Sequence, residues 1–402
     1  MQSCPLVLTS PNAPSNRDVL GTAVLSVLSG HQRYAHISAL RGDSINPPLL
    51  GMSEVVSEDS VRRNLGKIDE TKGVEWLQGH LDYVSAPLLA EPWILDTDVT
   101  VKPLYGHQEG AVLGYNPHKP GRPSHTYHTC FIANLRLVLD VEVQAGNKTA
   151  SKHSSPGLWE LLGRIPRAHW PAFIRGDRDW GTEANMARAE QESVDYLFKL
   201  RLTAKVKKLI ERLMRGADWT DAGQGWQGAE APLRLSGWSR ARRAVVLRRR
   251  INKDLAVVDQ SDPEQLRLSF ADLTDEAIVY EYAVLVTSLT HEILTVAQLY
   301  RDRADCGNPF DELKNHWGWG GFTTRDLKRC RFMARIVISH PHAEAVWVEG
   351  VCREIAAFFK SLRRTAEQLT PMQRWCRVLS RALVKYLNGR QLRPPALLPA
   401  PS

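Results

Sequence analysis

No stretch of the 402-residue chain approaches the roughly eighteen consecutive apolar residues that a membrane span requires. Nor does a basic segment followed by an apolar run open the chain, so a secretory signal is not expected. Cysteine is sparse: Cys4, Cys130, Cys306, Cys330, Cys352 and Cys376 are scattered and form no CxxC pair. That argues against a zinc ribbon or a disulfide framework and for reduced thiols. Internal repeats and long low-complexity segments are also missing. What the chain has in excess is positive charge, with 52 Lys and Arg against 44 Asp and Glu, a net charge of +8 and a pI near 9.2. This balance favours a polyanionic partner, although basic proteins without one share it.

The length allows several domains. Residues 1–92 read as a small helical region, with a helical pattern over Leu20–Leu40, a Ser57-Glu58-Asp59 cap before Arg62 and Arg63, and another helix near Gly73–Val84. A helix-turn-helix role in binding a DNA end is one reading of Ser57–Leu65; a plain packed helix is the other. From Trp93 the pattern becomes β-branched and alternating. Strands are expected at Trp93–Leu104, Thr126–Ile132 and Leu135–Val143, a helix near Pro156–Leu162, and a strand through Ala172–Ile174. A helix at Ala184–Ser193 and a strand at Asp195–Leu202 complete the first part of an α/β core over 93–202. Residues 203–280 interrupt that order with a basic helix and a β-rich, arginine-dense stretch. The core resumes over 281–338 with a strand at Glu281–Leu289 and a helix at Leu294–Arg303, and 339–402 is an irregular helical tail.

Asp96 and Asp98 lie two apart on the first expected strand and so face one side. Asp177 closes a later one. Carboxylates on rigid strands suit Mg²⁺, and two such ions can serve phosphodiester cleavage. Turn and cap roles for these aspartates fit the spacing as well.

Longer motifs surround these positions. Trp93–Val101 with Tyr105–Gly110, Gly114–His125, Arg175-Gly-Asp-Arg-Asp-Trp-Gly181, and Tyr300–Lys314 with Asn315–Phe322 occur in this order. Together they resemble the DDE transposases of bacterial insertion sequences, the subgroup marked by Tyr, two residues, Arg, three residues, Glu, six residues, Lys. The resemblance implies a ribonuclease-H-like mixed sheet flanked by helices, with a β-rich insertion before the last catalytic helix. It implies Asp98 and Asp177 as catalytic metal ligands, with Asp96 competing for the first place, and Mg²⁺ as cofactor, with Mn²⁺ able to substitute. Tyr300, Arg303 and Lys314 would bind phosphates. Double-stranded DNA would be the partner, as transposon terminal inverted repeats and target DNA, engaged by a dimer in the DNA complex. The expected place is the bacterial cytoplasm, at the nucleoid, with no membrane.

One position departs from the signature. Gly307 stands where the third catalytic Glu belongs, and Asn308-Pro309 follows, a pair that starts helices rather than continuing them. Asp311 is the alternative metal ligand, with Glu312 turned about 100° further round the helix. Three outcomes stay open: compensation by Asp311, a defective transposase, or a non-catalytic DNA-binding protein derived from one.

Further DNA contacts are expected from Lys119 and Arg122, near His118 and His125 in the loop after the first strand. Arg242 and Arg243 are also expected to contact DNA, within the run that includes Arg240, Arg248, Arg249 and Arg250. A solvated, charged edge strand explains that run equally well. Trp317, Trp319 and Phe322 are read either as a stacking surface for a flipped base or as core.

Overall fold

The computed structural model describes residues 3–116, 119–133, 135, 137–251, 279–303, 310, 313–315, 318–319, 321–338. The N-terminal region holds α1 (Asn16–Leu28), α2 (Asn46–Leu49), α3 (Glu58–Leu65) and α4 (Glu70–Ser85), with a 3-10 segment at Tyr34–Gly42. The helical pattern expected across Leu20–Leu40 is broken. The chain leaves α1 through Gly30 at φ 69°, a left-handed conformation that favours glycine, and re-enters as the 3-10 segment.

Strands follow as β1 (Ile94–Pro103), β2 (Ser124–Ile132) and β3 (Leu137–Ala145), then α5 (Ser151–Arg164), β4 (Phe173–Gly176), α6 (Glu183–Gln191) and β5 (Asp195–Lys199). Next come α7 (Ala204–Gly216), β6 (Thr220–Gly223), β7 (Trp226–Leu233), β8 (Arg242–Ile251), β9 (Val279–Thr287) and α8 (Ile293–Arg301). A further helix, α9, spans 327–338.

The nine strands among the described residues form one mixed sheet in the order β3-β2-β1-β4-β5-β9-β8-β7-β6. β1 runs antiparallel to β2 and parallel to β4, and β4 parallel to β5. This β3-β2-β1-β4-β5 half is the ribonuclease-H-like arrangement. The strands between α7 and α8 do not stand apart from it, because β9 pairs antiparallel with β5 and carries the sheet onward.

Helices cover both faces. Leu158, Leu161 and Leu162 of α5, Met186 of α6 and Val206, Leu209 and Ile210 of α7 pack with Leu95, Ile174, Tyr196 and Phe198. On the other face Val296 and Ala297 of α8 pack with Phe173, Leu197, Val245 and Leu285. Beside α8, the N-terminal helices and α9 close over Phe131, Val141 and Val143. Alternation along each strand divides these residues between the two layers. Among the described residues no helix is long and apolar enough to cross a membrane.

Candidate active site

Parallel pairing sets the site. Thr97 of β1 lies opposite Gly176 of β4, so the next residue on each strand brings Asp98 beside Asp177. β4 needs Gly176 there: a Cβ would lie 2.6 Å from the buried Trp180 ring. Asp98 and Asp177 line one cavity of 390 Å³, together with Thr100, Tyr115, Arg178 and Asp179. It opens at the carboxyl ends of β4 and β5, where α/β sheets place their ligands.

The electrostatics fit two close carboxylates. Burial pushes the Asp177 carboxyl above the usual range and the charge of Asp98 adds to this, while Arg303 opposes it. Arg303 Nη2 lies 3.1 Å from Asp98 Oδ2 and donates to the Thr97 carbonyl at 3.3 Å. Burial works against the Arg303 guanidinium, yet Asp98, Tyr300 and Asp177 hold its pKa above the ordinary value. Its Nε has no hydrogen-bond partner among the described residues. Tyr300 is pushed up to about 12, by burial first and then by Asp177 and Asp98. Lys314 Nζ donates to Thr100 Oγ1 at 2.6 Å. Tyr300 and Arg303 therefore face the two aspartates, and Lys314 reaches Thr100, which lines the same cavity.

Asp96, the competing choice for a ligand, is fully buried and spoken for. Arg175 grips it through Nε at 2.5 Å and Nη2 at 2.6 Å and also donates to the Leu299 carbonyl of α8. Lys199 escaped the sequence reading. It follows Phe198, which pairs with Gly176, so its register neighbour is Asp177. Burial lowers its pKa, as do Arg178 and Arg303, with Asp177 pulling the other way. A lone lysine ending an apolar strand was the available signal.

Other expected contacts fall elsewhere. Lys119 and Arg122 are exposed on the β1–β2 loop against Tyr105, with Arg122 Cζ 4.6 Å from the ring centre. Arg242 is not a surface residue. Its side chain, expected at a DNA surface, is 2% exposed and bound to Glu183 at 2.6 Å and Glu190 at 2.7 Å. β8 is flanked by β7 and β9, so it is not an edge strand either. Arg243 is half-buried and held by Glu230 and by the Leu289 carbonyl at 2.7 Å. Trp319 stacks on Phe310 with centroids 5.9 Å apart, and Phe322 meets Tyr34, so both belong to the core. Gly307, Asp311, Glu312, His118, Trp317 and the 339–402 tail lie outside the described residues.

A family model described as transposase DDE domain, group 1, matches residues 11–339. The chain belongs to this transposase family. Among solved structures, a cryo-EM synaptic complex of piggyBac transposase with hairpin DNA matches at 11% identity and a TM-score of 0.42, covering 97% of this chain and 76% of that one. No curated protein sequence matches. The family's members generally use divalent metal ions. Here the all-oxygen pair Asp98 and Asp177 fits a hard cation, and the proton-retaining tendency of Asp177 is what an added cation would reverse. Among the described residues no group of three His, Cys, Asp or Glu is placed to hold a metal.

Proposed function

We propose that this chain is a DNA transposase of an insertion sequence, cutting a DNA phosphodiester and joining the freed 3′-hydroxyl to target DNA, with Asp98 and Asp177 as metal ligands. The observation that carries this reading is the meeting of Asp98 and Asp177 at adjacent strand positions under Arg303 and Tyr300, with Lys314 on Thr100 of the same cavity. A divalent cation, Mg²⁺ or Mn²⁺, supplies activation of water and charge stabilisation at the departing oxygen. The protein's share is positioning. Arg303 has donors to turn from Asp98 toward a phosphate oxygen, in the two-pronged manner guanidinium allows. The Tyr300 hydroxyl stays protonated as a donor, Lys314 adds a point charge, and Lys199 does the same beside Asp177. Lys119 and Arg122 grip the backbone further along, terminal repeats give the register, and two copies of the chain hold two ends.

Gly307 favours a second reading, a transposase-derived protein that binds DNA without cutting it. Plasmid nicking in Mg²⁺ or Mn²⁺ separates the two. Cleavage should be weak in the unaltered chain and rise in Gly307→Glu. It should then fall on the order of 100-fold or more when Asp98→Asn or Asp177→Asn is added, the scale of losing a charge-stabilising group. Binding without cleavage by any form establishes the second reading. Cleavage indifferent to both aspartates removes the first.

A further inference from the structure

The cavity at Asp98 and Asp177 does not end there. A second cavity, also of 390 Å³, shares Ser151, Arg178, Asp179 and Arg201 with the first, so the two form one trough. It leads away from α8 toward the helices on the opposite face of the sheet. Lys152, Arg178 and Arg201 line it, and its acid, Asp179, is ion-paired to Arg201. Lys152 is exposed, and the Arg201 side chain is 59% exposed. The starts of α5 and α7 border the trough, and neither has an acidic residue in its first turn or a side-chain cap. Their partial positive ends add to the charge of the three cations.

This inference rests on the transposase reading. Joining one DNA to another brings two DNA segments to the same carboxylates. Tyr300, Arg303 and Lys314 serve the first from the α8 side. We propose that the trough lined by Lys152, Arg178 and Arg201 binds the sugar-phosphate backbone of the second segment, the target DNA, without regard to sequence. Cationic side chains and helix ends contact phosphates and carry no base information, which suits a target.

Fluorescence anisotropy of the full chain with two 40-base-pair duplexes of unrelated sequence, in EDTA, tests this through salt dependence. Each phosphate that is no longer neutralised reduces the slope of log affinity against log salt by about 0.9. Lys152→Gln with Arg201→Gln should flatten the slope by about two for both duplexes. Lys152→Gln alone, at an exposed position, should flatten it by about one, and decides the matter if the paired variant fails to fold. An unchanged slope, or a change confined to one duplex, overturns the trough proposal while leaving the transposase reading in place. Failure of the unaltered chain to bind either duplex at low salt overturns both.

Discussion

Asp96 and Asp98 stand on the same face of β1, and each meets an arginine, yet the two pairs are built to opposite ends. Asp96 and Arg175 form a closed unit with side chains 1% and 2% exposed, both carboxylate oxygens taken and the guanidinium tied to Leu299 of α8. Asp98 and Arg303 form an open one, with side chains 27% and 16% exposed and a second carboxylate alongside. A buried pair whose three guanidinium nitrogens are all bonded anchors an element. A half-exposed pair whose guanidinium keeps an unfilled donor can exchange partners. The largest expected effect tests this contrast. Arg175→Met takes from the buried Asp96 the guanidinium that grips both its oxygens, and should cost about 3–5 kcal/mol in denaturant unfolding. Asp96→Leu combined with Arg175→Met should recover most of that loss. Arg303→Met should cost less, about 1–2 kcal/mol, since Asp98 reaches water and Asp177 can take up a proton once Arg303 is gone. Equal losses at Arg175 and Arg303 would erase the distinction between anchor and site.

The same contrast recurs along β8, with a smaller expected effect. Arg242 is enclosed by Glu183 and Glu190 of α6, and holds Glu190 near pKa 2 against the opposing effect of burial. Arg249 pairs with Glu281 across the sheet while remaining 47% exposed. Arg242→Ala should cost about 2–4 kcal/mol, because Glu183 loses its cation and Glu190 keeps only the exposed Arg240. Arg249→Ala should cost about 1 kcal/mol or less. Urea midpoints at low and high salt would resolve the two, with only the Arg249 effect fading as salt rises.

These cases mark what could be read in advance. The βββαβ order was legible because alternation and β-branching are local signals, and each expected strand lies within a few residues of its observed bounds. Asp98 and Asp177 were singled out through the motifs around them, and strand register brings them to adjacent positions. The fate of Asp96 was not legible, because its partner lies 79 residues away and is fixed by strand register. Lys199 was missed for the same reason. β8 read equally as a strand tracking DNA or as a solvated edge strand, and its interior place in the sheet was not foreseen, since composition does not reveal which neighbours a strand acquires. The end of α1 depended on one residue: Gly30 gave no warning inside an otherwise helical pattern. The close docking of Gly318 and Gly321 on His31 and Gln32 was likewise invisible, since a Cβ at either would lie 2.2 or 1.7 Å from a carbonyl oxygen there.

The smallest expected effect lies at Asp177, and its sign is the informative part. Burial and the charge of Asp98 raise its folded-state pKa above the unfolded value, with Arg303 only partly offsetting them. A carboxylate raised in this way favours the fold while protonated. That contribution is full below the unfolded pKa of about 4 and is lost as pH rises through the folded value. At neutral pH the ionised group is therefore a liability, one that the proposed cation would offset. Asp177→Asn should melt above the unaltered chain at pH 7 in EDTA, and the gap should close as pH approaches 4. Adding Mg²⁺ should raise the melting temperature of the unaltered chain more than that of the variant, since only the former keeps both ligands. A variant that melts lower at pH 7 would mean that Arg303 outweighs burial at this position. The open pair would then resemble the closed one, held together by its own charges and not poised for an added ion.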